Sequence, residues 1–265
     1  MFSSSDHTFV VCAYKESPFL KDCLQSLAEQ TIAPNIVMVT STPNDSIHRL
    51  SEQHSVPLVI NDTEPGIASD WNNAVESVDT KLVTIAHQDD LYCPRYLESL
   101  LDLVSTSDDP LLYFTDYGEL RNGTEVNDNK LLRVKRFMLS PLKAKATRKS
   151  KFIRRRILSF GSPICCPSVT LVKSKLTPGF FKADFHSDLD WQAWTALAGM
   201  EGDFLYNPTI QMYHRIHEDS ETSRLIQNAS RGSEDLQMLQ CFWPKPIASL
   251  IYKLYAKGQD SNEGF

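Results

Sequence analysis

The sequence predicts an α/β fold: a mixed, mostly parallel sheet flanked by helices, with a helical C-terminal tail. Three features carry this expectation. Short apolar runs alternate with stretches whose apolar residues recur every three or four positions, the pattern of βαβ units. Pro, Asn, Asp and Ser punctuate their boundaries. The chain has 265 residues and is 42% hydrophobic, enough to fill the core of one large domain with a tail.

The elements follow in order. Residues 9–13 (FVVCA) form a buried strand. Ser17-Pro18 opens a helix with proline at its first position, and Leu20, Cys23, Leu24 and Leu27 give its inner face. Residues 36–39 are a second strand, followed by a helix over 47–52 capped by Asn44 or Asp45. Residues 57–60 are a third strand. Ile67, Trp71, Ala74, Val75 and Val78 then mark a helix face, and residues 82–86 a fourth strand. Pro94 opens the next helix, with Leu97, Leu100, Leu101 and Val104 inward, and 111–115 is a fifth strand. Beyond it the pattern loosens. Residues 130–160 read as part loop and part helix, 168–172 as a strand, 190–198 as a helix, 204–206 and 210–213 as short strands. Residues 233–241 are helical, and Ile247, Leu250, Ile251, Leu254 and Tyr255 line an amphipathic terminal helix.

Charge is unevenly spread. The net value is −6, yet residues 130–156 hold twelve Lys or Arg and no Asp or Glu, leaving 15 basic against 33 acidic residues elsewhere. An acidic body argues against general nucleic-acid binding. The basic arm suits phosphates or an anionic surface. Cys12, Cys23, Cys93, Cys165, Cys166 and Cys241 show neither zinc spacing nor a disulfide framework. No apolar run nears the ~18 residues of a membrane span, and the polar opening lacks a signal-peptide pattern. The expected location is the cytoplasm, with peripheral contact to the inner face of the membrane through the basic arm and the amphipathic tail.

Sheets of this kind bind ligands beyond the carboxyl ends of their strands. The residues there are 14–16, 40–44, 61–66, 87–90 and Asp116. His87-Gln88-Asp89-Asp90 is the sharpest feature. Adjacent carboxylates at a strand end call for a counter-charge, which Mg2+ or Mn2+ with phosphate oxygens supplies; alternatively Asp90 caps the next helix and Asp89 is solvated. Asp188, ahead of an aromatic-rich helix, is either a general base for an acceptor hydroxyl or a helix cap. In Tyr213-His214-Arg215-Ile216-His217, alternation puts Arg215 and His217 on one face, suited to a cation or pyrophosphate.

Together these segments resemble glycosyltransferase family 2, the inverting family with the GT-A (Rossmann-like) fold. FVVCAYKESPFLKDCLQSLAEQT is similar to its first strand, nucleotide loop and first helix. GIASDWNNAVESVDTKLVTIAHQDDLYCPRYL is similar to its glycine–asparagine helix and metal-motif strand. SDLDWQAW matches its acidic base motif and YHRIHEDSET its late Arg-x-His segment. The resemblance covers residues 8–222.

It implies a GT-A domain over 1–222 and a helical extension over 223–265. The nucleotide-binding half would be 1–120, and the acceptor half 121–222, with the basic arm at 130–156. Asp188 would be the catalytic base. Asp89, the last Asp of the Asp-x-Asp motif, would hold the metal with Asp90 and His217. Ala13, Tyr14, Glu16, Thr40, Asn72, His87, Asp89 and Arg215 would contact the nucleotide. Two departures stand out: His87 replaces the Asp that contacts the ribose, and Thr40-Ser41-Thr42-Pro43 replaces an acidic pair that reads the base. The implied activity is metal-dependent, inverting transfer of a hexosyl-type group from a nucleotide-diphosphate sugar, with UDP as the nucleotide. The acceptor is a hydroxyl on a saccharide or lipid-linked saccharide, as in polysaccharide or glycoconjugate synthesis. The alternative is an inactive GT-A-like sugar-nucleotide-binding or scaffolding protein. A nucleotidyltransferase is disfavoured because AYKESP has no glycine for a phosphate loop.

Overall fold

The computed structural model describes residues 2–217 and 231–260. Its first half is three parallel crossovers: β1 (His7–Ala13), α1 (Leu20–Ala28), β2 (Ile36–Thr40), α2 (Asp45–His54), β3 (Leu58–Ile60), α3 (Ile67–Glu76) and β4 (Leu82–His87). Then come β5 (Leu91–Tyr92), α4 (Tyr96–Val104), β6 (Pro110–Arg121), β7 (Thr124–Val126), α5 (Lys130–Leu139) and α6 (Lys151–Leu158). The chain closes with β8 (Val169–Val172), α7 (Leu189–Ala198), β9 (Asp203–Ile216), α8 (Arg231–Gln240) and α9 (Lys245–Asp260). One sheet runs β3-β2-β1-β4-β8-β6-β9-β5, with β7 on the edge of β6. β1 pairs in parallel with β2 and β4, and β6 with β9; β8 joins the two halves by antiparallel pairing to β4 and β6.

β1 is apolar throughout because helices cover both of its faces. Phe9 and Val11 face the side of α1, α2 and α4, while Val10 faces α3 and α7. A polar seam crosses this interior. His7 Nε2 lies 2.8 Å from Thr84 Oγ1, Thr84 2.6 Å from Thr170, and the Tyr96 hydroxyl donates to the Ser168 carbonyl at 3.0 Å. Pairing inside the seam offsets part of the cost of burying these groups, while His7 Nδ1 is buried without a hydrogen-bond partner in the protein.

Several boundaries differ from expectation. Pro18 lies in a turn and α1 starts at Leu20, two residues later. Asn44, not Asp45, caps α2, accepting from the Ile47 N–H at 3.0 Å. The strands expected at 204–206 and 210–213 are one strand, β9, whose Asn207-Pro208-Thr209 stretch, exposed at Pro208 and Thr209, breaks the apolar pattern at an irregularity in its register with β6. The basic arm, expected as part loop and part helix, is two helices with two short 3-10 turns between them. Arg154 within it is fully buried, donating to the carbonyls of Gly202 and Met200 at 2.7 and 2.6 Å. Of the expected extension, α8 and α9 are described. Met238, Leu239 and Ala248 join the core of β4, β8 and α7, so these helices share the hydrophobic interior of the domain.

Candidate active site

The site forms where β4 ends beside β1. Cys12 and His87 are register partners, so the loops that follow both strands meet. Gln88 locks them: its side-chain amide accepts from the Tyr14 N–H and donates to the Tyr14 carbonyl, both at 3.0 Å. Lys15 takes a left-handed backbone (φ +54°), and its N–H reaches Thr42 Oγ1 at 2.6 Å. Beside this turn lies an open cleft of about 530 Å³ whose walls include Lys15, Glu16, Thr42, Pro43, Asn44 and Arg49.

The short β5 pairs with β9, Leu91 against Tyr213, and delivers the late His-Arg-Ile-His segment to the acidic pair. Strand alternation then sorts the side chains. Arg215 Nε donates to the Asp89 carbonyl at 2.7 Å, and His217 Nε2 lies 3.0 Å from Asp89 Oδ2. His214 faces the other way, its Nδ1 3.1 Å from Asp90 Oδ1, which also accepts the Arg215 N–H at 2.8 Å. Burial works against a charged His214, but Asp90 prevails and carries its pKa above the ordinary value. Arg215 also sits 4.2 Å over the Phe19 ring, against which His217 packs.

His87, Asp89 and Asp90 bring ligand atoms within 4.8 Å of one another; among the described residues this is the group of three or more that fits a metal ion. The residues suit a hard or borderline cation such as Mn2+ or Mg2+: two carboxylates and one imidazole. Burial pushes the His87 pKa down despite Asp90 and Asp89, which favours the neutral, ligating imidazole. Its Nε2 is buried without a hydrogen-bond partner in the protein. His87, which stands in place of the family's ribose-contacting Asp, shares space with the acidic pair and stacks on Trp71 at 5.5 Å. Asp90 is fully buried and tied to β9 through Oδ1, whereas Asp89 keeps part of its side chain in solvent. The carboxylate placed to meet a ligand is therefore Asp89.

Asp188 immediately precedes α7 and is 5% exposed. Its side chain makes no capping bond to that helix, so the cap reading fails. Two contacts set this loop. The Asn72 amide is bonded on both sides to the Phe181 backbone at 2.9 Å, tying α3 to the segment before it. Glu234 of α8 accepts the N–H groups of His186, Ser187 and Asp188 at 3.0, 2.8 and 3.1 Å, and the Ser187 hydroxyl at 2.8 Å. Burial opposes its charge, but these donors hold its pKa below the ordinary value. Burial pushes the Cys165 and Cys166 thiols up, and the charges of Asp190 and Asp90 add to the rise.

Of the residues expected around the nucleotide, Glu16 lines the cleft, and Tyr14 immediately precedes the Lys15 of its wall. Ala13 and Thr40 pair within the sheet and are buried, the Thr40 hydroxyl accepting the Thr42 N–H. Thr42 and Pro43 present the cleft surface in their place. Asn72 is a latch for Phe181. Gln88, His214 and Glu234 also hold this region together, and none of them is a site expectation of the sequence. Gln88 and His214 lie inside the quoted motifs, but Glu234 has no sequence signal, being 46 residues from the loop it holds.

A family model described as glycosyl transferase family 2 matches residues 8–177, well over half of the chain. The chain belongs to glycosyl transferase family 2. Solved structures with the same fold include a mannosyltransferase from Pyrobaculum calidifontis in complex with GDP-Man and Mn2+ (17% identity, TM-score 0.63, covering 93% of this chain and 68% of that one). Another is S. aureus TarS 1-349 in complex with UDP-GlcNAc (14%, 0.58, 93% and 70%). A third is glucosyl-3-phosphoglycerate synthase from Mycobacterium tuberculosis in complex with Mn2+ and UDP-glucose (13%, 0.56, 90% and 79%). No curated protein matches the sequence. The GT-A fold expected of this family is the one described above, and the protein is a glycosyltransferase by family.

Proposed function

We propose that this glycosyltransferase is metal-dependent and inverting, and moves a sugar from a nucleotide-diphosphate donor, UDP-linked, to the hydroxyl of a saccharide or lipid-linked saccharide. One observation carries the reading. A partly solvated carboxylate, Asp89, is braced by His217 and Arg215 at the mouth of β4.

Asp89 would hold Mn2+ or Mg2+ with His87, Asp90 and His217 as neighbours. The bound cation supplies neutralisation of the charge that builds on the departing diphosphate. Arg215 adds a fixed positive charge at the same end, preorganised by Phe19 and the Asp89 carbonyl. The loop over Tyr14–Glu16 with Thr42 and Pro43 would border the nucleobase. Asp188 takes the proton of the acceptor hydroxyl as its oxygen attacks the anomeric carbon from the face opposite the nucleotide. The anomeric bond to the diphosphate breaks, the new glycosidic bond forms with inversion, and no enzyme-linked sugar arises.

The test is calorimetry of a panel of UDP, GDP and dTDP sugars with and without Mn2+, on wild type and Asp89→Ala, followed by turnover of the donor that binds. Asp89→Ala should lose the metal-dependent part of the affinity. Asp188→Ala should keep donor affinity while transfer falls by about 10²–10⁴-fold, the range general-base catalysis supplies. Equal affinity with and without Mn2+ rejects the metal role, and full-rate transfer by Asp188→Ala rejects the base.

A further inference from the structure

We infer that the face built from α6 and the corner between α8 and α9 docks on an anionic lipid bilayer. Four large apolar side chains stand out of this face: Phe152 is 71% exposed, Leu250 61%, Phe160 46% and Ile247 44%. They belong to segments about 90 residues apart that close contacts weld together. Trp243 Nε1 donates to the Ser159 carbonyl at 2.7 Å, and Phe160 packs on the Trp243 ring at 5.4 Å. The Arg156 guanidinium lies between rings, 4.8 Å from Trp243 and 5.7 Å from Phe152. Arg155 stacks over Phe242 at 5.1 Å and donates to the Cys241 carbonyl.

The charge is one-sided. Residues 151–160 and 237–253 contain no Asp or Glu, while Arg155, Arg156, Lys245 and Lys253 are exposed. Large apolar side chains interleaved with cations, on a protein whose remainder is acidic, match the headgroup zone of an anionic bilayer. Rings and aliphatic chains enter the acyl boundary there, and guanidinium and ammonium groups stay with the phosphates. A second copy of the chain is a poorer occupant. A two-fold contact would press Arg155, Arg156, Lys245 and Lys253 against their own images with no carboxylate between them. No described helix is long and apolar enough to cross a membrane, so the contact is a surface one.

The face also joins the acceptor half of the site. The carbonyl of Leu158, at the end of α6, accepts Trp191 Nε1 of α7, and α8 carries the Glu234 that holds the Asp188 loop. Docking would seat those elements at the lipid surface, where a lipid-linked acceptor resides. The docking itself does not depend on the transferase reading.

Sedimentation of the full chain with phosphatidylcholine vesicles, with and without phosphatidylglycerol, tests it, using Leu250→Glu and the pair Phe152→Ser, Lys245→Glu. Wild type should pellet with the anionic vesicles, and more weakly as salt rises. Each variant should bind at least about tenfold less while keeping a native circular-dichroism spectrum and the donor affinity of wild type. Absence of binding to anionic vesicles at low salt overturns the inference, as does undiminished binding by both variants. So does a concentration-dependent dimer, seen by ultracentrifugation, that the variants abolish. Donor affinity is read separately by calorimetry, so failure here leaves the transferase reading standing, and the reverse.

Discussion

Glu234 shows how one side chain from the end of a chain can govern chemistry in its middle. Its carboxylate collects three successive backbone N–H groups ahead of α7, so the position of the Asp188 backbone is set from α8. Charge-assisted hydrogen bonds of this kind contribute about 1.5–3 kcal/mol each when intact, and their geometry matters more than their sum. On the proposed mechanism Glu234 would be a positioning residue, acting through Asp188. Glu234→Ala should lower kcat by about tenfold or more and leave donor affinity within about twofold. Glu234→Gln, which keeps an acceptor oxygen, should recover part of the loss. Steady-state kinetics over donor and acceptor concentrations checks this. A loss confined to donor KM, with kcat intact, would contradict it. At the same scale, His87 is legible as a departure from the family pattern. Its company with Asp89 and Asp90 is legible too, since the three share one four-residue motif; the His214, Arg215 and His217 that brace the acidic pair arrive only once β9 has returned beside β5.

Among the elements, those that read correctly are the ones with an unbroken period. β1, α1 and β4 are apolar on the faces that the helices cover, and their sequence says so directly. β9 was read as two pieces because Asn207-Pro208-Thr209 breaks the alternation, and pairing with β6 overrides that break. The basic arm was read as one surface. Its residues in fact divide between buried structural roles, as for Arg154, and an exposed set that includes Arg155 and Arg156, a division made by which helix face meets α7 and β9. The turn joining α7 to β9 makes this dependence testable. Gly202 has φ +121°, and a Cβ there would lie 2.7 Å from the Asp109 carbonyl oxygen. Its own carbonyl receives Arg154. Gly202→Ala should cost at least about 2 kcal/mol, from backbone strain plus displacement of a neighbouring carbonyl. A urea midpoint within error of wild type would show that the turn relaxes freely.

At the scale of the whole molecule, the central seam makes stability depend on pH. Burial holds the His7 pKa down to about 3, against an ordinary value of 6.5. Between those two pH values the unfolded chain takes up a proton that the folded one refuses, so acid favours unfolding. The stability present above about pH 6.5 should drain away by up to about 1.4 kcal/mol per pH unit as pH falls toward 3. His7→Gln should flatten this slope, whatever it does to absolute stability at neutral pH. Denaturant titrations at several pH values read it directly, and an unchanged slope would show that His7 is not the titrating group.

The sequence by itself determined the α/β alternation, the order of the strands that carry chemistry, and the family, because periodicity and strand-end motifs are local properties. Only the tertiary structure decided which carboxylate is an interior anchor, Asp90, and which stays partly in solvent, Asp89. It alone brought Glu234 to the Asp188 loop, and drew α6 and the α8–α9 corner into one cationic, apolar face. The physical reason is shared. Each of these is a contact between residues far apart in the chain, fixed by how strands register and helices pack, and no local pattern of residues records that closure.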